Sequence, residues 1–105
     1  MIDLYTKWKE RKFQEKIMRI SVTSGVTDDE RRILESYLIN PSPKNTVLAR
    51  EVFSELRTEW SRSWESLKDK KVARKSHTAK SIREILGCLE YVLPVVMERE
   101  KQYPS

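Results

Sequence analysis

Apolar side chains recur every three or four residues in four separate stretches of the chain, and this period is typical of amphipathic helices. The spacing predicts helices at residues 2–19, 28–39, 46–68 and 78–97, followed by a frayed tail at 98–105. Only two glycines and four prolines interrupt the 105 residues, which leaves few of the turns that a chain of short strands requires. The pattern therefore predicts an all-α fold, a compact bundle of about four helices that forms a single domain over residues 1–105.

The start of the second helix carries the clearest local signal. Thr27 and Glu30 stand three residues apart, as in a capping box, where each side chain accepts a hydrogen bond from the backbone N–H of the other residue. Pro41 and Pro43 disfavour a helical conformation in the residues before them and so end this helix. Between the first two helices, the β-branched residues of segment 20–26 predict an extended connector.

The third and fourth helices supply most of the predicted core. An apolar ridge at four-residue spacing defines the buried face of the third helix: Leu48, Val52, Leu56, Trp60 and Trp64. The fourth helix is apolar over more than half of its circumference, which is typical of a buried helix and places it at the centre of the core. Gly87 is expected to permit a close helix crossing, and Pro94 to kink the helix.

Residues 27–67 also begin like a helix-turn-helix motif, because a capped helix and a short connection precede the segment VLAREVF. In that motif a turn, usually with glycine, comes before a second short helix. The following segment, FSELRTEW, continues without a helix-breaking residue. This alternative therefore requires a bend between Val52 and Glu59, with Arg57 and Arg62 projecting outward.

Positive charge is concentrated in two parts of a chain whose net charge is +5. Residues 68–83 hold five lysines and two arginines against one aspartate, and residues 1–20 hold six cations against three acids. The rest of the chain is therefore net negative. Local positive charge attracts nucleic-acid phosphates, anionic lipid head groups and acidic proteins, although it is also typical of a solvated loop.

The larger cationic cluster predicts a contact surface for nucleic acid, DNA or RNA, or for an acidic protein. Its candidate residues are Lys68, Lys70, Lys71, Arg74, Lys75, Lys80 and Arg83. A second patch comprises Lys9, Arg11 and Lys12. The hydroxyls of Ser76 and Thr78, at the predicted start of the fourth helix, add hydrogen-bond donors for a phosphate. Cations on one continuous face favour a nucleic-acid interface, whereas cations on opposite faces favour charge that serves only solubility.

Aromatic residues near the beginning of the chain predict a second kind of surface. Tyr5, Trp8 and Phe13 are candidates for a protein interface, and the wide apolar arc of the fourth helix favours a homo-oligomer. Trp8 is surrounded by lysine and arginine, so it also suits a membrane-surface anchor. Glu10 and Glu15 weaken that interpretation, because their charge repels anionic lipid.

Residues that carry out catalysis or bind metals are sparse. His77 is the only histidine; it has cationic neighbours and no carboxylate to orient it. Cys88 lies on the apolar side of the fourth helix, where a buried and inert thiol is expected. One cysteine and one histidine cannot build a closed zinc site, and helix capping explains the acidic cluster at residues 28–30. We therefore expect no enzymatic activity, no cofactor, no metal and no small-molecule substrate.

The single cysteine excludes an intrachain disulfide, which favours a reducing compartment. The first residues lack the apolar run of a signal peptide, and no stretch reaches the roughly 20 apolar residues of a membrane span. These features predict a cytoplasmic protein. The function that the sequence predicts is that of a small accessory or regulatory protein whose basic patch contacts nucleic-acid phosphates without base-specific readout. The alternative is a protein–protein interaction module, either a homo-oligomer or an adaptor or inhibitor that binds an acidic or apolar partner surface.

Overall fold

The chain folds into four helices in a computed structural model, which describes the backbone of residues 2–68 and 77–103 and the side chains of residues 4–67 and 79–103. The helices are α1 (Ile2–Thr23), α2 (Asp28–Ile39), α3 (Pro43–Lys68) and α4 (His77–Gln102). The described ranges contain no β-strand. The predicted all-α bundle of four helices is therefore confirmed.

The first helix is longer than the sequence predicts, since it continues to Thr23. The expected extended connector is wrong for residues 20–23. Ile20 is fully buried and lies one turn after the buried Ile17, so the gain from packing outweighs the weak helix propensity of β-branched residues. Beyond the helix, Ser24 donates both its N–H and its hydroxyl to the Ile20 carbonyl, at 3.0 and 2.5 Å. Gly25 then adopts a positive φ of 70°, which turns the chain towards α2.

The third helix begins at Pro43, three residues before its predicted start. Pro43 stops α2, as expected, but it also opens α3, because the first helical position needs no N–H donor and favours the φ of proline. The preceding Ser42 caps this end: its hydroxyl accepts the N–H of Asn45 at 3.2 Å, and its carbonyl accepts the N–H of Thr46 at 2.9 Å. The predicted capping box of α2 is also confirmed, since Thr27 and Glu30 exchange both hydrogen bonds.

The core forms between helices that are in contact in pairs: α4 packs against α3 and α1, and α2 packs against the same two helices. The predicted central role of α4 agrees with its burial, because Ile85, Leu89, Val92 and Val96 are all 3% exposed or less. The prediction that Phe13 belongs to a protein interface is wrong. Phe13 lies one turn before Ile17 on the buried face of α1 and is only 3% exposed.

Of the ridge that the spacing predicts for the third helix, Val52 and Leu56 are buried, whereas Leu48 and both tryptophans are half-buried. Trp60 is half-buried and packs against the core, whereas Trp64 is half-buried beneath a charged side chain of α4. The helix is continuous from Pro43 to Lys68. The bend between Val52 and Glu59 that a helix-turn-helix motif requires is therefore absent from this described segment.

The end of α4 is ordered by polar contacts, so the predicted frayed tail is wrong for residues 98–102. Arg99 donates to both carboxylate oxygens of Glu10 on α1, at 2.6 and 3.5 Å, and to the Tyr37 hydroxyl on α2 at 3.4 Å. Glu100 pairs with Arg50 of α3 at 2.6 Å. The Tyr103 hydroxyl donates to the Pro41 carbonyl at 2.5 Å. Arg99 and Glu100 thus contact all three other helices, and Tyr103 contacts the loop between α2 and α3.

Replacing Arg99 tests this network. We expect Arg99→Ala to lower the free energy of unfolding by about 1–2 kcal/mol, because Glu10 loses its ion pair and the half-exposed position of that pair limits the loss. The measurement is urea unfolding followed by circular dichroism. Arg57→Ala is the matched control, since Arg57 is exposed and makes no ion pair within the described residues. Equal stability of the two variants would contradict the assigned role.

The buried Tyr37 side chain is expected to make the free energy of unfolding depend on pH. Burial raises the pKa of Tyr37 above its ordinary value of 10.0, although the Arg99 guanidinium acts in the opposite direction. The folded state therefore keeps a proton that the unfolded state releases, so this contribution to stability is complete below pH 10 and is lost as pH rises through the folded pKa. We expect the free energy of unfolding to fall above pH 10 more steeply in the parent than in Tyr37→Phe. Identical pH profiles would be evidence against this assignment.

Candidate functional site

A charged groove of about 590 Å³ runs between α1 and α4. Its walls carry Lys12, Glu15, Lys16, Arg19, Arg83 and Glu84, and its floor includes Gly87 and Cys88. We call this feature the α1–α4 groove. Four cations and two acids give its lining a formal charge of +2, so the groove is suited to an anionic ligand.

The antiparallel packing of α1 and α4 forms the groove. Arg19, late in α1, pairs with Glu84, early in α4, whereas Glu10, early in α1, pairs with Arg99, late in α4. On α1, the buried face points into the core, and the neighbouring face carries Lys12, Lys16 and Arg19 at three- and four-residue intervals. The cations therefore lie beside the core rather than opposite to it, on the side that faces α4.

Gly87 opens the floor of the groove. It is exposed, and a β-carbon built at this position has no neighbouring atom within 4 Å. The expected close helix crossing at Gly87 is therefore wrong. The absence of a side chain leaves space between the two rows of charged residues. Cys88, the next residue, is 4% exposed, which confirms the burial that the sequence predicts for its thiol.

Four lysine and arginine side chains rest on aromatic rings instead of on carboxylates. They are Lys9 over Tyr5, Lys12 over Trp8, Lys16 over Tyr91 and Arg83 over Trp64, with the cation 5.0–5.4 Å from the ring centroid. Within the described side chains, none of these four cations forms a salt bridge. An aromatic ring attracts a cation without cancelling its charge, so these groups are oriented and remain able to donate to an anion.

One cation of the groove is neutralised. Arg19 forms a salt bridge with Glu84, and both side chains are about half exposed, at 57% and 46%. Glu15 adds a further negative charge to the α1 wall. The attraction for an anion therefore depends chiefly on Lys12, Lys16 and Arg83.

One residue from each cationic group of the sequence lines this groove. Lys12, from the second patch, and Arg83, from the larger cluster, line it together. Lys80 is exposed three residues before Arg83, so it lies on the same side of α4 one turn earlier. Lys9 and Arg11 of the second patch are exposed outside the groove.

Several predicted residues lie outside the described part of the chain. The basic-cluster residues Lys70, Lys71, Arg74 and Lys75 are among them, as are Ser76 and the side chains of Lys68, His77 and Thr78. Conversely, Lys16 and Arg19 line the groove but are not among the contact residues predicted from the sequence. Their spacing from Lys12 was the available signal, because residues three and four apart share a helix face.

A larger groove, of about 680 Å³, lies between α3 and α4. Hydroxyl and apolar side chains form much of its wall, together with Arg57, Arg62 and Glu65. None of the cations that the sequence predicts to contact a partner lines it. The α1–α4 groove is therefore the better candidate, because it contains one residue from each predicted cationic group.

The described residues contain no group of three histidine, cysteine, aspartate or glutamate side chains placed to hold a metal ion. Across the same part of the chain, no helix combines the length and the apolar character needed to cross a membrane. Comparisons with protein-family models, with curated proteins and with solved structures find no match to this chain.

The open floor of the groove makes Gly87 a test of this geometry. We expect Gly87→Ala to raise the free energy of unfolding by about 0.5–1 kcal/mol, because alanine has the higher helix propensity and its methyl group meets no neighbour. Gly25→Ala is the matched control and should destabilise by about 1–2 kcal/mol, since its φ is positive. A loss of stability in Gly87→Ala would show that the groove floor is closed.

Proposed function

We propose that this chain is a non-enzymatic accessory protein of the cytoplasm that binds nucleic acid by its phosphates in the α1–α4 groove. One observation carries the proposal: Lys12 of α1 and Arg83 of α4, from the two cationic groups of the sequence, line the same groove. Clustered cations bind a phosphate backbone by displacing its counterions and need no further motif.

The state of these cations supports phosphate binding more strongly than their number does. A lysine already paired with a carboxylate must give up that partner to bind a phosphate. Lys12, Lys16 and Arg83 instead lie over aromatic rings, which hold their side chains without neutralising them. Lys80 and Arg83 also lie in the first two turns of α4, where the helix dipole is positive.

The groove lining favours contact with phosphates over recognition of bases. Reading base edges typically employs bidentate arginine, asparagine or glutamine side chains presented to a DNA groove. Among the described residues that line the α1–α4 groove there is no asparagine or glutamine, and two of its cations are lysines, which act as point charges. Of its two arginines, Arg19 is paired with Glu84 and Arg83 lies over Trp64. The proposal is therefore binding with little sequence preference.

Neutralising groove lysines tests the proposal. We expect the double variant Lys12→Gln, Lys16→Gln to weaken binding of a fluorescent oligonucleotide and to reduce the salt slope of log K by about 1.4–1.8, for two lost phosphate contacts. The control is Arg31→Gln, Lys44→Gln, which removes two exposed cations outside the groove. Equal slopes in the two double variants would overturn the proposal.

Gly87 provides a test that removes no existing side chain. Gly87→Glu places a carboxylate on the groove floor, and Gly87→Gln places a neutral group of the same shape there. The two have similar helix propensity, so a difference in binding reports charge alone. We expect Gly87→Glu to bind an oligonucleotide roughly threefold to tenfold more weakly than Gly87→Gln at low salt. Equal affinities would place the phosphates elsewhere.

The exposed start of α1 favours a second candidate function, that of a protein-interaction module. Leu4, Tyr5 and Trp8 are 76%, 62% and 55% exposed. Tyrosine and tryptophan are typical anchors of protein interfaces, and an acidic partner would also match the neighbouring lysines. Sedimentation of the purified chain at high concentration tests for a homo-oligomer, in which Trp8→Ala should restore the monomer.

A further inference from the structure

The first turns of α1 carry an exposed aromatic pair that core packing does not explain. The rings of Tyr5 and Trp8 stack with centroids 6.3 Å apart and planes 25° apart, and both side chains are more than half exposed. Burial of large aromatic rings is a main source of folding free energy, so rings left in water at this position contribute little to the core. Their exposure leaves both rings accessible to a ligand.

This pair adjoins the α1–α4 groove. The ammonium group of Lys12, which lines the groove, lies 5.0 Å from the centroid of the Trp8 ring. The pair also falls on the same side of α1 as the groove cations, because one series with intervals of three or four residues contains Tyr5, Trp8, Lys12, Lys16 and Arg19. Aromatic and cationic side chains thus form one continuous row along α1.

Negative charge does not interrupt the junction between the rings and the lysines. Glu10, the carboxylate nearest in sequence to Trp8 among the described side chains, is turned towards α4 and paired with Arg99. Lys9 and Lys12 lie over the two rings instead. The acid that remains in this row is Glu15, which follows Lys12 by three residues.

From this arrangement we infer that the ligand is single-stranded nucleic acid, whose bases stack on Trp8 and Tyr5 while its phosphates follow Lys12, Lys16 and Arg83. This inference rests on the proposed function and specifies its substrate class. Proteins that bind single strands combine a basic groove with exposed aromatic rings, because every unpaired base offers a ring face. Bases in a duplex are stacked on each other and cannot reach a side chain in this way.

The row also has a suitable length. From Tyr5 to Arg19 the helix rises about 21 Å at 1.5 Å per residue. At about 3.4 Å per stacked nucleotide, this distance corresponds to roughly six nucleotides, within the site sizes of other single-strand binders. A strand of this length places one or two bases on the aromatic pair and the remaining phosphates along the groove.

The experiment compares three fluorescent probes of equal length by anisotropy: a 12-nucleotide oligothymidylate, a 12-base-pair duplex and an abasic 12-unit strand. The parent should prefer the oligothymidylate over the other two. Trp8→Ala should weaken oligothymidylate binding about tenfold without changing its salt slope, because stacking releases no counterions. The same variant should weaken binding of the abasic strand and the duplex much less, because these probes lose only the ring that orients Lys12 and not a stacking contact.

Two variants control for charge and for folding. Trp8→Phe keeps a ring and should retain most of the affinity, whereas Met18→Ala removes another exposed apolar side chain of α1 and should have no effect. Lys12→Gln, Lys16→Gln should weaken all three probes and reduce their salt slopes. A variant that loses affinity while its salt slope stays constant has lost stacking. A variant that loses affinity and also has a smaller salt slope has lost phosphate contacts.

The outcomes also separate this inference from the proposed function. If Trp8→Ala binds all three probes as the parent does while the lysine variant is weakened, stacking is wrong and phosphate binding stands. A preference of the parent for the duplex would likewise overturn stacking alone. If no probe binds in a salt-dependent manner, both are wrong. Trp8-dependent binding to vesicles containing phosphatidylserine, without binding to oligothymidylate, would reassign this face to a lipid surface.

Discussion

The antiparallel alignment of α1 with α4 is the constraint on which the rest of the structure depends. Two ion pairs mark its ends, Arg19 with Glu84 and Glu10 with Arg99. Between them, apolar residues of both helices face the core, and this burial supplies most of the stabilising free energy. The alignment also determines which cations of α1 lie opposite Arg83. A shift of one helical turn would separate the cations that line the groove.

A carboxylate partner divides the cations of this surface into two kinds; an aromatic ring alone does not, since Arg99 lies over Phe13 at 4.5 Å and also pairs with Glu10. Arg50 and Arg99 pair with acids, are partly buried, and connect helices. Lys12, Lys16 and Arg83 lie over rings and keep their charge. Burial opposes the charge of Arg99, but hydrogen bonds to Glu10 and Tyr37 outweigh it and raise its pKa. The presence of a carboxylate partner, rather than the residue type, therefore distinguishes a structural cation from one that is available for binding.

The sequence predicts features that depend on neighbours along the chain. The Thr27–Glu30 capping box and the buried faces of α3 and α4 follow from local spacing, and the structure contains them. Contacts between helices are harder to predict from the sequence, because they depend on how far one helix is shifted along another. Arg99 and Tyr103 therefore looked like part of a frayed tail, and Phe13 like an exposed anchor. The spacing of Lys12, Lys16 and Arg19 places them on one face of α1, but the residues of α4 that lie opposite them follow only from the three-dimensional alignment.

The hydrogen bonds from Arg99 to Glu10 join residues 89 positions apart, and the bond from Tyr103 to Pro41 joins residues 62 apart. Contacts of such long range form only after both partners have been made, and they slow folding relative to local contacts. During synthesis on the ribosome, Ile17 and Ile20 therefore remain without α4 until residues 77–102 have been made. A nascent helix with an uncovered apolar face is prone to association, so cellular yield should respond to translation speed and to chaperone supply.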